Sequence, residues 1–196
     1  MTSRLREVAL ASISPRRSAL LRSLGLEVTI IPSDYDEGAA DANCGSAADC
    51  ALRHAAGKAR AAAASGPPLL IAADTIVAVD GRMLGKPPDA AGARAMLRSL
   101  SGRRHTVYTG YAVVDRAAGR HVAEVSSAQV LFLDLDDDTI VRYVETGEPM
   151  DKAGAYAVQG LGSLFVSSIT GDFYTVMGLP LARLGLACKT LGYEII

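Results

Sequence analysis

The run Leu-Leu-Ile-Ala-Ala at residues 69–73 limits the possible folds more than any other stretch of the chain. Five consecutive apolar residues suit a strand covered on both faces, the environment of a sheet layered between helices. The run follows the helix-breaking Gly66-Pro67-Pro68 and ends in Asp74-Thr75, which puts a carboxylate at the end of a strand too apolar to want a charge. Residues 76–79 are strand-like again, and Asp80-Gly81 is a strong hairpin signal.

Around that strand, helical and extended patterns alternate. Residues 7–11 read as a buried strand that feeds a helix. Ser14 fits the N-cap of this helix and Pro15 its first position, with Leu20, Leu21 and Leu24 at helical spacing and Gly25 as the stop. Residues 27–31 are β-branched and extended, and an acidic loop from Ser33 to Gly38 follows. Ser46 caps an alanine-rich helix expected to reach about residue 64. Lys58 falls in its apolar stripe of Ala47, Ala51, Ala55 and Ala62. Asp89 caps a further helix to residue 100. Strands are expected at 105–114, 121–133 and 164–169, with helices at 136–145 and 179–191 and a loop at 171–178. The pattern is α/β, with a mixed central sheet flanked by helices. Neither a repeat nor a long linker divides residues 1–196, so a single domain is expected.

With 49% hydrophobic residues, the chain can bury a full core. A formal net charge of −1 gives no electrostatic case for nucleic acid or an anionic membrane as the main partner. No run approaches the roughly 18 apolar residues of a membrane span, and the first residues have no apolar signal core. Cys44, Cys50 and Cys188 are odd in number and lack metal-type Cys-x-x-Cys spacing, so they read as reduced, buried or incidental thiols. A cytoplasmic protein is expected.

Arg16 and Arg17 stand at the mouth of the first helix, where free amides and the positive end of the dipole point outward. Their planar guanidinium groups suit phosphate oxygens. The plain alternative is a solvated basic helix start, just as Lys58 on an apolar stripe can simply snorkel to water and Asp74 can simply cap a turn. Three look-alikes carry no weight. The Gly81–Lys86 stretch is one residue short of a Walker loop and has proline where the hydroxyl belongs. Asp134-Leu-Asp136 reads better as helix capping. Gly160-Leu-Gly162 lacks the third glycine of a dinucleotide fingerprint. What remains is a set of charges at the ends of apolar elements: Arg16, Arg17, Glu37, Lys58, Asp74, Lys86 and Asp151-Lys152. Glu37 and Asp74 together can hold a divalent metal through hard oxygens, and the cations can offset a polyphosphate. That combination suits a phosphate-ester or anhydride hydrolase using metal-assisted attack by water.

The ordered set Leu10-Ala-Ser-Ile-Ser-Pro-Arg-Arg17, Asp36-Glu37, Lys58-Ala59, Ala73-Asp-Thr75, Gly85-Lys-Pro87, Ser101-Gly102, His105, Thr109-Gly110, Gly147-Glu-Pro149, Asp151-Lys-Ala-Gly154, Tyr156, Gln159-Gly160 and Gly178-Leu-Pro180 resembles the Maf family of nucleoside triphosphate pyrophosphatases. The resemblance covers nearly the whole chain. It implies a mixed α/β fold like that of the inosine triphosphate pyrophosphatases, with two lobes and a cleft. It also implies cleavage of nucleoside triphosphates to monophosphate and pyrophosphate with a divalent metal, magnesium or manganese. By matching position, Asp74 resembles the proton acceptor and Glu37 its metal-associated partner, while Ser12, Arg16, Lys58 and Lys86 resemble phosphate and sugar contacts. Arg16, Thr75 and Gln159 resemble the marks of the subgroup that prefers dTTP and UTP. Gly57 departs from the family, which usually has an acid before the lysine, and Phe173 stands where tyrosine is common. A homodimer is a further family expectation. The competing expectation, also from the family, is a nucleotide-binding regulator of septum formation with little or no hydrolysis. The carboxylates Glu37 and Asp74 argue against it, since a pure binder needs cations and no general base.

Overall fold

The computed structural model describes residues 3–36, 44–63 and 65–196. The chain divides into two compact units, one of Met1–Asp74, Thr109–Ser126 and Gly178–Ile196, the other of Thr75–Tyr108 and Ser127–Met177. Among the described residues, the main sheet has seven strands, β2 (Glu7–Leu10), β3 (Glu27–Ile30), β4 (Leu69–Val79), β5 (Arg82–Leu84), β6 (Arg104–Asp115), β7 (Arg120–Phe132) and β8 (Val166–Gly171), in the order β3-β2-β4-β6-β7-β8 with β5 paired to β4. Among the described residues, no helix is long and apolar enough to cross a membrane.

In the first unit, β2 (Glu7–Leu10) pairs in parallel with β3 (Glu27–Ile30), from Glu7 opposite Glu27 to Leu10 opposite Ile30. On its other side β2 pairs in parallel with β4 (Leu69–Val79), with Ala9 opposite Leu70. Helix α1 (Pro15–Ser23) connects β2 to β3, as parallel pairing requires. Helix α2 (Ala47–Ala61) buries Cys50, Ala51, His54, Ala55, Gly57 and Ala59. The last part of β6 (Arg104–Asp115) passes close to α2. A Cβ on Gly110 would lie 2.1 Å from the Ala51 carbonyl oxygen, so the two backbones meet at a distance only glycine permits. Ala9, Ala11, Ile31, Ala59, Leu70, Ala72 and Ala112 form a core of small residues here. The terminal strands β1 (Ser3–Arg4) and β9 (Tyr193–Glu194) pair in parallel, a contact that two-residue strands do not announce in sequence.

In the second unit, the end of β4 turns through Asp80 and Gly81, both at positive φ, into β5 (Arg82–Leu84). Positive φ at both central residues is the turn that matches strand twist. Helices α3 (Ala90–Leu100) and α4 (Asp137–Glu145) start as expected, with Asp89 accepting from the Gly92 amide and Asp136 from the Thr139 amide. Strand β7 (Arg120–Phe132) pairs antiparallel with β8 (Val166–Gly171). The core is larger and more aromatic, with Phe132, Tyr143, Tyr156 and Phe165 among Val77, Leu97, Leu100 and Ile140.

Several expectations need correction. β4 is one unbroken strand, so Asp74 lies inside it rather than at its end. Residues 160–165 form a 3-10 turn, which moves the last long strand two residues later, and the segment expected to loop contains helix α5 (Phe173–Met177). The final helix α6 is Leu181–Thr190. Cys44 and Cys50 are joined as a disulfide with Cα atoms 5.2 Å apart, and Cys188 is the free, buried thiol. Spacing missed this pair because Cys44 precedes the N-cap Ser46 while Cys50 lies in the first turn, where the chain reverses onto itself.

His105 is 2% exposed, its Nε2 lies 2.7 Å from the Tyr156 hydroxyl, and its ring packs edge-on against Phe132 and Tyr156. Burial pulls its pKa down to about 4. The folded chain therefore holds the neutral ring, while the unfolded chain takes up a proton at ordinary values. This contribution is complete above about pH 6.5 and is lost as pH falls toward 4, worth roughly 3 kcal/mol at the extreme. Thermal unfolding from pH 7 down to 4 should show that loss, and His105→Gln should flatten the slope. Equal slopes in both proteins would contradict the assignment.

Candidate active site

Asp74 lies in a strand whose side chains are nearly all buried, and it is itself only 9% exposed. A carboxylate can stay ionised there only if its oxygens are met by donors. Two come from one face of α2. Lys58 Nζ donates to Oδ1 at 2.6 Å, and His54 Nδ1 lies 3.2 Å from Oδ2. His54 and Lys58 are four residues apart, one helical turn, so both reach the same carboxylate. An ionised carboxylate only accepts, which fixes the proton on His54 Nδ1. Burial pushes the Asp74 pKa up, but the His54 hydrogen bond and the charges of Lys58 and Arg17 outweigh it and hold the group at about 2. Lys58 thus does not snorkel: its ammonium is held inside by a partner.

The turn before α1 is built around Ser12. Ser14 occupies the N-cap, but its hydroxyl makes no capping bond. Instead the Ser12 hydroxyl oxygen accepts from the Ser14 amide at 3.2 Å and from Arg17 Nη1 at 3.1 Å. Arg17 Nε donates to the Gly178 carbonyl at 2.8 Å, so this arginine is anchored and buried, while Arg16 is half-exposed. The first unit thereby brings together Ser12, Arg17, Lys58 and Asp74.

Gly57 is accounted for in the same place. A Cβ there would fall 2.1 Å from the Tyr35 ring, which also packs edge-on to His54 at 5.8 Å. An acid at position 57 would displace that ring. Glu37, expected as the second carboxylate, lies outside the described residues.

The second unit holds the remaining candidates. Thr75 is half-buried in β4, and Lys86 and Gln159 are exposed. The Gly154 amide donates to the Gly85 carbonyl at 3.0 Å, tying the segment beside Lys86 to the one that carries Lys152. Lys152 reaches the Glu148 carbonyl and the Asp151 carboxylate. The Glu148 carboxylate accepts from the Leu161 amide at 3.1 Å, the Gly162 amide at 3.0 Å and the Tyr143 hydroxyl at 3.0 Å. Burial opposes ionisation of Glu148, but these donors win and its pKa is lowered. Glu148 therefore fixes the backbone next to Gln159.

His54 escaped the sequence reading. The available signal was its position four residues before Lys58, on the same apolar face. Toward a metal, Asp74 offers a hard, ionised oxygen group. That suits a magnesium-class ion, with the rest of the coordination left to substrate and a second carboxylate.

Comparison with known proteins matches residues 7–191 to the family described as Maf-like protein. Among curated relatives, a dTTP/UTP pyrophosphatase of Desulforamulus reducens is 43% identical over 193 residues, covering 98% of this chain and 100% of that protein. Another of Methylobacillus flagellatus is 46% identical over 198 residues, covering 100% and 98%. One of Moorella thermoacetica is 46% identical over 190 residues, covering 96% and 97%. With its buried Asp74 held between Lys58 and His54, and a match that spans almost its whole length, the chain belongs to the Maf family.

Proposed function

We propose that the chain hydrolyses nucleoside triphosphates, dTTP and UTP above others, to the monophosphate and pyrophosphate, with Asp74 as the general base. The observation that carries this reading is the buried, ionised Asp74 with a lysine on one oxygen and a histidine on the other. Relatives named dTTP/UTP pyrophosphatase along the full length supply the substrate class.

With a pKa of about 2, Asp74 is a weak base while Lys58 stays on it. Arrival of a triphosphate changes that balance. Lys58 has phosphate oxygens to turn to, along with Ser12, Arg16, Arg17 and Lys86. As Lys58 turns away, Asp74 gains proton affinity, and Nδ1–H of His54 keeps its second oxygen oriented. Asp74 then takes the proton of the attacking water as the α–β anhydride bond breaks. Thr75 and Gln159 read the pyrimidine, since a site built to hydrogen-bond one base leaves its polar groups unpaired with another. Asp74 and Glu37, with substrate oxygens, would hold a magnesium or manganese ion, which would supply charge neutralisation and polarise the phosphoryl group. The substrate is a small molecule, and the compartment expected for it is the cytoplasm.

Three measurements check this. Purified protein given a panel of triphosphates should release pyrophosphate fastest from dTTP and UTP. Orthophosphate as first product, or a purine as best substrate, would overturn the cleavage site or the preference. Asp74→Asn should lower kcat on the order of 10²–10⁴-fold with little change in nucleotide affinity. A variant with near-normal turnover removes Asp74 from the chemistry. Excess chelator should abolish activity and added magnesium restore it, whereas full rate in chelator would refute the metal.

A further inference from the structure

Residues 157–162 fold onto the Glu148 carboxylate, with Gln159 exposed on the same segment. The Leu161 amide donates to Oε2 and the Gly162 amide to Oε1. Successive amides in a turn form a concavity suited to an anion, and here the chain fills it with its own side chain. From α4, the Tyr143 hydroxyl donates to Oε1 and accepts from the Ala157 amide at 3.3 Å. Both ends of the segment are thus tied to one Tyr143–Glu148 pair. Gly160 permits the close approach: it stands at φ +75°, and a Cβ there would fall 2.6 Å from Oε2. Glu148 is seated in turn, its amide donating to the Thr146 hydroxyl at 3.1 Å just past the end of α4. Hydrogen bonds to an ionised carboxylate are the stronger kind, so this frame is firm.

The frame matters because of the group it carries. The Gln159 carboxamide offers a donor and an acceptor side by side. Uracil and thymine answer with O4 and N3–H, guanine with O6 and N1–H, so the chemistry of the amide alone does not separate them. Its place does, because the larger ring carries that edge farther from the sugar.

We propose that Glu148 is a positioning residue for nucleobase selection: its carboxylate fixes the place of Gln159, and through it the preference for thymine and uracil over guanine, without touching the nucleotide. This rests on the reading of Gln159 as a contact to the base. Glu148→Gln is the informative change. It turns one acceptor oxygen into a donor, which then faces the Leu161 or Gly162 amide, and two donors cannot satisfy each other. The segment loosens, and Gln159 reaches places that suit a purine as well as a pyrimidine.

The test measures, by calorimetry with magnesium present, binding of the α,β-imido analogues of dUTP and dGTP to the full chain and its variants. In Glu148→Gln the affinity ratio of dUTP over dGTP analogue should fall about tenfold, the worth of one hydrogen bond no longer placed. Gln159→Ala should lower the ratio as far, and the double variant no further, because one residue acts through the other. Tyr143→Phe keeps the ring in the core, removes only the hydroxyl, and should give a smaller fall in the same direction. Two results would each overturn the proposal. One is a ratio left unchanged, whether affinities hold or fall together, in Glu148→Gln, or in Tyr143→Phe where the first does not fold. The other is an effect of Glu148→Gln that persists in full beside Gln159→Ala. Pyrophosphate release from dTTP by the intact protein is measured separately. Its absence would count against the hydrolase reading and leave the binding ratios to decide this one.

Discussion

A carboxylate inside a sheet loses its water, and nothing in an apolar strand replaces it. Asp74 is in that position, in β4 between Ala73 and Thr75, and it stays charged because α2 delivers Lys58 and His54 to its two oxygens. Much else in the first unit serves that meeting. Gly110 lets α2 come down onto β6, Gly57 leaves room for the Tyr35 ring against His54, and the small residues of the core keep helix and sheet close. The pairing is also poised. Removing one partner of a buried ion pair typically costs about 3–5 kcal/mol, because the other charge is left stranded. A polyanion that takes over Lys58 avoids that cost for the lysine and places it on Asp74, where a stranded carboxylate becomes a base.

Among the described residues the second unit has no comparable buried ion pair, and its core is mainly apolar and aromatic, with the neutral His105 ring packed into it. Its polar side chains work on loops. Glu148 gathers two amides and a hydroxyl to shape the segment after Gln159, and Lys152 closes on the carbonyl of the same residue. These are fixed backbones carrying exposed side chains, a suitable way to present Lys86 and Gln159 to a ligand.

Much of this was legible in the sequence. Local rules gave the caps at Ser46, Asp89 and Asp136 and the Asp80-Gly81 hairpin, because each depends on neighbours a few residues away. The candidate site residues came from the ordered motifs, and the environment of Asp74 did not. Reading Asp74 as a strand end followed from its charge, since extended backbone through a carboxylate looks unfavourable until the donors on another element are known. His54 was invisible for the same reason, as its role lies in a contact twenty residues away. The Cys44–Cys50 pair was missed because spacing rules assume ligands or bridges on a regular frame, and here a helix start folds the chain back. The terminal pair β1 and β9 is too short to carry any pattern.

The central claim is that Lys58 and His54 set the charge state of Asp74. A carbon-13 titration of the Asp74 carboxyl, in the intact protein and in Lys58→Gln, tests it most directly. The account predicts a midpoint near 2 in the intact protein, and a rise of about one unit or more in the variant, where burial is no longer opposed by the lysine. An ordinary carboxylate midpoint in the intact protein, unchanged by the substitution, would contradict it.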